Sequence, residues 1–253
     1  MLKIIKKILY VISRSKTLTK VGKKILDYNR NENNCDFETN GEAYFVRNNI
    51  LKFNIIFDVG ANIGEWSNYM SKLSPANKIY SFEPSKKTFQ TLGENIRNKN
   101  ILPFNIGFGE KQEDKVFYNQ NYNSTLNSSI KRESLNDTYE EIVQFDTIDN
   151  FCLINNINNI SFLKIDVEGN ELNVLIGAQK LIEAGKIDYI QFEYGGTYID
   201  ADIFLKDIFD FFKNKPYLIH KIMQKDIIKI EKYDQELENF QYSNFLAILN
   251  NKC

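Results

Sequence analysis

The chain has 253 residues, 43% hydrophobic and 26% charged, with only 4 prolines and 12 glycines, a balance that suits one globular α/β domain and excludes long low-complexity linkers. A single histidine, His220, excludes a multi-histidine zinc site. The three scattered cysteines form no CxxC pair, which argues against a disulfide framework or a thiolate metal site and suits a reducing, cytoplasmic setting.

The formal net charge of −1 is unevenly spread: residues 1–30 hold nine Lys/Arg against Asp27, a local net of +8 that leaves −9 for the rest. The body is therefore not a polyanion-binding surface, and no nucleic-acid partner is expected. The first stretch, MLKIIKKILYVISRSKTL, sets Met1, Ile5, Ile8 and Ile12 on one helical face and Lys3, Lys7 and Arg14 opposite. Its apolar run is too short and interrupted to span a bilayer, and no small-residue cleavage site follows it. Two readings stand: a helix packed on the domain or on a second subunit of a homo-oligomer, or a peripheral helix on the inner membrane face or an acidic partner. Residues 1–40 are read as this extension, and residues 41–253 as the domain.

From residue 55 strands and helices alternate. Ile55–Val59 is an apolar strand, Ile63–Leu73 a helix, Lys78–Phe82 a strand, and Ser85–Asn98 a helix with a cap signal at its start. Leu102–Ile106 is a third strand. Strands Ile160–Ile165, Ile187–Tyr194, Tyr217–Met223 and Phe245–Leu249 come next, with helices at 170–184 and 203–212 between them. Repeated βα units imply a mostly parallel sheet covered on both faces. Residues 111–153 break the alternation: Val116–Tyr118 and Ile142–Phe145 read as an inserted antiparallel ribbon. The polar tract between them reads as a lid or substrate loop.

In open parallel sheets ligands bind beyond the carboxyl ends of the strands, where strand order reverses. Three such ends are unusually polar here. In IIFDVGANIGEW, Asp58 closes the strand, Gly60 permits a tight turn, and Gly64 would let the helix start approach a ligand. In YSFEP, Glu83 lies 23 residues beyond Gly60, a distance that suits a carboxylate accepting from both ribose hydroxyls. In FLKIDVEGNEL, Lys164 and Asp166 share a strand face and Glu168-Gly169 turn into the next helix; so many ionisable groups at one edge need partners, among themselves or in a ligand.

These residues carry a resemblance. DVGANIG (58–64), FEP (82–84), FNIGFGE (104–110), Ser128-Ser129, FDTID (145–149) and KIDVEGNELNVLIGA (164–178) resemble the FkbM family of S-adenosylmethionine-dependent methyltransferases, from about Gly41 to Asn250. The resemblance implies the Rossmann-like seven-stranded sheet of class I methyltransferases, with S-adenosylmethionine as cofactor across its carboxyl edge. It implies that Asp58, Gly60, Asn62 and Gly64 surround the methionine and ribose, and that Glu83 holds the ribose hydroxyls. The Asn105–Gly107 turn would border the adenine, and Asp166 would sit beside the methionine end. Members are associated with O-methylation of sugars, glycans and polyketides, so a small-molecule or glycan hydroxyl is the expected acceptor.

An alcohol needs a base to take its proton. Asp166 and Glu168 are the leading candidates and Glu193 the third, while His220 lies inside a strand pattern and reads as structural. A carboxylate pair could also hold a divalent cation, but nothing else in the sequence points to one, and no metal ligand is assigned. Tyr122, Tyr194 and Tyr198 could stack on a sugar ring. The absence of an Asn-Pro-Pro-aromatic tetrapeptide disfavours amino methylation of DNA bases, and the absence of Pro-Cys disfavours C5 methylation of cytosine. A nicotinamide-dependent oxidoreductase, against which the glycine spacing argues, and a non-catalytic donor-binding scaffold are the rival readings.

Overall fold

Strand β1 (Ile55–Val59) lies near the centre of the sheet because both its faces are apolar, Ile56 pointing one way and Phe57 and Val59 the other. The computed structural model describes residues 6, 10, 12–120, 127–132 and 138–252. Further along come β2 (Lys78–Phe82), β3 (Ile101–Phe104), β4 (Gly107–Phe108), β5 (Glu113–Asn119) and β6 (Tyr139–Asp146). The series ends with β7 (Ile160–Ile165), β8 (Ile187–Tyr194), β9 (Tyr217–Met223), β10 (Asp226–Lys229) and β11 (Ser243–Leu249).

The main sheet has the order β10-β9-β11-β8-β7-β1-β2-β3. β1 pairs in parallel with both β2 and β7, so the chain winds outward in opposite directions on either side of the β1–β7 seam. That seam is the switch point, and its carboxyl end is where a crevice opens. β7, β8 and β11 are buried at every residue, as central strands covered on both faces must be.

Two core clusters sandwich the sheet. One packs Phe57, Val59, Leu163, Ile165 and Phe192 under the helices Ile148–Ile154, Glu171–Gly177 and Leu205–Phe212. The other packs Ile56, Phe162 and Tyr189 under the helices Glu42–Asn49 and Glu65–Leu73. Period-two alternation thus assigns Asp58 and Lys164 to the second face, at the end of otherwise apolar strands.

The sheet has eight strands where seven are expected. The addition, β10, pairs antiparallel with β9 at the sheet edge and is mostly exposed, so its four residues carry no run of buried apolar positions. The expected ribbon is real and extends beyond the expected residues: β5 and β6 pair antiparallel, and β4 adds in parallel to make a separate three-stranded sheet. β3 ends at Phe104, and its Pro103 is tolerated on an edge strand. The helix expected over 170–184 breaks at Ala178 into Glu171–Gly177 and Gln179–Glu183.

The expected amphipathic helix falls largely on residues outside those described. The next helix, Lys16–Arg30, buries none of its residues and exposes Leu18, Val21, Ile25 and Leu26. Asn31 stops it in a left-handed conformation and donates through Nδ2 to the carbonyls of Asn40 and Ile222. Glu32 pairs with Lys221 at 3.0 Å, and the Asn33 amide donates to the Tyr242 carbonyl at 2.9 Å. Residues 31–33 are therefore stitched to the β9–β11 side of the sheet. Among the described residues no helix is long and apolar enough to cross a membrane.

Candidate active site

A cavity of about 580 Å³ opens at the carboxyl ends of β1, β2, β7 and β8, within the usual range for small-molecule sites. Of the expected site residues, Gly60, Asn62, Glu83, Gly107, Asp166, Glu168 and Glu193 line it. Asp58, Gly64 and Asn105 do not.

Main-chain bonds fasten the β1 turn to the end of β2. The amides of Gly60 and Ala61 both donate to the Phe82 carbonyl, at 3.1 and 2.9 Å, which locks the end of β1 to the end of β2. Gly60 has φ +86, and a Cβ there would lie 1.8 Å from the Asp166 carbonyl oxygen. The glycine therefore brings the ends of β1 and β7 into contact. Gly64 has φ +86, which by itself favours glycine, and a Cβ on it would also meet the side-chain end Leu92 Cδ1 at 2.6 Å.

Asp58 lies beneath the cavity floor. Its carboxylate accepts from Ser67 Oγ at 2.5 Å, and Ser67 in turn meets Ser81 Oγ at 2.6 Å. Burial pushes Asp58 up to about 6, against the pull of Lys164 and the Ser67 bond. Asn105 clasps the FEP turn, donating through Nδ2 to the carbonyls of Glu83 and Pro84, both at 2.8 Å.

Glu83 projects from the end of β2 and accepts from two amides, Asn62 at 3.1 Å and Ser85 at 3.0 Å, one on each carboxylate oxygen. Burial raises it to about 7, and those two bonds restrain the rise. Each oxygen keeps a second lone pair for a ligand hydroxyl. Asn62 sits at φ +47, and its Oδ1 is buried with no partner among the described residues. Phe82, Ile106 and Phe108 supply an apolar wall beside these polar groups.

At the β7 end three carboxylates converge, with oxygens of Asp166, Glu168 and Glu193 all within 4.8 Å of one another. Their environments drive them apart. Burial works against the Asp166 charge, but Lys164 at 2.5 Å and a hydrogen bond with Glu193 hold its carboxyl below the usual range. Glu193 is pushed well above it by burial and then by the charge of Asp166. Glu168 sits between: burial and Asp166 raise it to about 7, while Arg132, paired at 2.7 Å, restrains it. Lys164 remains charged because Asp166, Glu42 and Asp58 outweigh its burial. A divalent cation could be bracketed by three such carboxylates, but Asp166 and Glu168 each already own a cationic partner. The donor set fits a proton-sharing network.

Glu168 adopts φ +56, an uncommon conformation for a residue with a side chain. The turn is held from both sides. Glu171 accepts the amides of Val167 at 3.1 Å and Gly169 at 3.0 Å, and Ser128 Oγ donates to the Glu168 carbonyl at 2.8 Å.

The stacking expectation is corrected at two tyrosines. Tyr198 is fully buried and donates to the Glu193 carbonyl, and Tyr194 donates to Glu238, so neither reaches the cavity to stack on a ring. Tyr122 lies outside the described residues. His220 is a buried strand residue with Nδ1 3.1 Å from the Leu218 carbonyl, as a structural role requires. Lining residues that sequence reasoning missed include Cys35, Ser129 as a cavity wall, Arg132 and Tyr242. None lies on a strand end of the βα alternation, so no period marks them.

A glycine turn after β1, an acid after β2 and a polar crevice at the switch point of a Rossmann-like sheet are the features of a nucleotide-type cofactor site. Residues 58–243 match the family model described as the methyltransferase FkbM domain, and the chain belongs to that family. S-adenosylmethionine is its cofactor, and the residues fit that group: paired lone pairs on Glu83, an unpartnered Asn62 oxygen and an apolar wall. A protein named Methyltransferase 1 from Beauveria bassiana (strain ARSEF 2860) is 30% identical over 142 residues, which span 48% of this chain and 57% of that protein. The crystal structure of methyltransferase FkbM from Methylobacillus flagellatus KT is 18% identical with a TM-score of 0.47, covering 77% of this chain and 44% of that one. The plantazolicin methyltransferase BpumL, solved with SAH, is 11% identical with a TM-score of 0.45, covering 93% and 91% of the two chains.

Proposed function

We propose that this methyltransferase transfers methyl to a hydroxyl oxygen of a sugar or glycan acceptor, with Glu168 as the base. The observation that carries the reading is the convergence of Asp166, Glu168 and Glu193 on the cavity, with oxygens within 4.8 Å of one another and with Lys164 and Arg132 paired to the first two.

When bound, S-adenosylmethionine supplies an electrophilic methyl group on a sulfonium. Glu83 would hold its ribose hydroxyls, and the Asn62 oxygen would accept a further hydrogen bond from it. Asp166 is fixed by Lys164 and stays ionised, so it offers a negative carboxylate without being free to take a proton. Glu193, pushed well above the usual carboxylate range by burial and by Asp166, shares a hydrogen bond with Asp166. Glu168 is left to accept the hydroxyl proton as the new C–O bond forms, and Arg132 keeps enough of it ionised near pH 7 to do so. Alignment contributes the rest, and a cavity walled by the 127–132 segment helps to exclude water.

The helix Lys16–Arg30 supports peripheral contact with an anionic membrane face, because its apolar residues are exposed and the surrounding segment is strongly basic. Labelled S-adenosylmethionine, incubated with the protein and a panel of nucleotide sugars, oligosaccharides and lipid-linked glycans, tests the acceptor class. Label in a glycan is expected. Label only in protein or nucleic acid would overturn the substrate reading.

A further inference from the structure

Segment 127–132 follows β5 and precedes β6 in the chain, yet three of its polar residues are buried. Ser128 is 1%, Ser129 8% and Arg132 9% exposed. Ser128 anchors the segment on two sides: its backbone bridges Tyr118, with bonds of 2.8 and 3.1 Å, and its hydroxyl donates to the Glu168 carbonyl. Arg132 spends one terminal nitrogen on Glu168 Oε2 at 2.7 Å.

Two polar groups remain unsatisfied. The Ser129 hydroxyl and the Arg132 Nε–H are both buried with no partner among the described residues, and both residues line the cavity. Buried polar groups are paired in nearly all folded proteins, so two neighbours left open on one short segment need an explanation. Their chemistry is specific: a hydroxyl that can donate and accept, and a guanidinium N–H that only donates. Glu83 and Asn62, the residues suited to the cofactor, lie at the ends of β1 and β2. Ser129 and Arg132 reach the cavity from the inserted sheet, beside Glu168.

We propose that Ser129 and Arg132 form the acceptor subsite, and that they select a polyol whose second oxygen lies next to the hydroxyl being methylated. Arg132 then joins two tasks, holding Glu168 through one nitrogen and placing the acceptor through another. Two neighbouring oxygens, as in a sugar ring diol, satisfy both open groups, whereas an aliphatic or aromatic alcohol leaves one or both buried without a partner. A site built to bond an oxygen discriminates strongly against analogues that lack it. This subsite rests on the hydroxyl-methylation reading and narrows its substrate class.

The test needs no identified acceptor. The full chain is loaded with S-adenosylhomocysteine, and binding of methyl α-D-mannopyranoside, its monodeoxy analogues and cyclohexanol is followed by ligand-observed NMR. Ser129→Ala and Arg132→Lys are compared with the parent; lysine keeps a positive charge beside Glu168 but removes Nε–H. The parent should bind the glycoside and at least one monodeoxy analogue should bind about tenfold more weakly, as one lost hydrogen bond implies. Each variant should weaken the glycoside by a similar factor while its S-adenosylhomocysteine affinity stays within twofold. Equal glycoside binding by parent and both variants, or preference for cyclohexanol, overturns the subsite. Failure of the parent to bind S-adenosylhomocysteine would instead overturn the methyltransferase reading beneath it.

Discussion

Gly60 and Asp166 touch through their backbones: a Cβ on Gly60 would fall 1.8 Å from the Asp166 carbonyl oxygen. The Asp166 amide also donates to the Val59 carbonyl at 3.0 Å, so the ends of β1 and β7 are closed on each other directly under the cavity. The glycine turn and the carboxylate cluster are one construction. Gly60→Ala therefore combines a positive φ with a clash against main chain and should destabilise the fold by about 2–4 kcal/mol. Urea denaturation measures it. A loss below about 0.5 kcal/mol would show that the seam yields easily.

Asp166 is the ionic partner of a deeply buried Lys164, whose ammonium also lies 5.8 Å from the Trp66 ring centroid. Asp166→Asn leaves that ammonium short of a counter-charge, tempered by Asp58 and Glu42, and should cost roughly 2 kcal/mol. In a double-mutant cycle, Lys164→Met should recover part of this loss. Strict additivity would contradict the coupling.

The pH dependence of catalysis is set by Glu168. It must be ionised to take a proton, and burial together with Asp166 raises it to about 7. The value of kcat/KM should therefore rise about tenfold per pH unit below 7 and level off above it. Glu168→Gln should lower kcat by about 10²–10⁴-fold and abolish that limb, with S-adenosylhomocysteine affinity unchanged. Arg132→Met should move the limb to higher pH, since removing the cation lets Glu168 rise further.

Much of this was legible in the sequence. Fully buried strands such as β7 and β8 are rich in large apolar residues, and the acids at their carboxyl ends stand out because a buried strand has no other use for them. Edge strand β10 was not, because four mostly exposed residues carry no burial pattern. Gly64 does not line the cavity, and its positive φ of +86 is the local reason for a glycine there. Ser129 and Arg132 come from a polar tract with no periodicity, and only the fold brings them over Glu168.

The helix Lys16–Arg30 buries no residue, and its described contacts to the domain are confined to its C-terminal end, where the Tyr28 carbonyl accepts from Gln224. Deleting residues 1–26 should change stability by less than about 0.5 kcal/mol, as expected where the helix residues from Lys16 on bury nothing. The same deletion should abolish cosedimentation with vesicles containing phosphatidylserine, if the basic apolar face meets lipid. A large loss of stability would place that face against the domain.

The role of Glu168 in hydroxyl methylation is tested head-on by transfer of labelled methyl from S-adenosylmethionine to the glycan panel, by the parent and by Glu168→Gln at pH 8. Label on a glycan hydroxyl is expected with the parent, and a loss of at least about a hundredfold with the variant. Undiminished transfer by Glu168→Gln, or label confined to protein or nucleic acid, would contradict that role and the acceptor class with it.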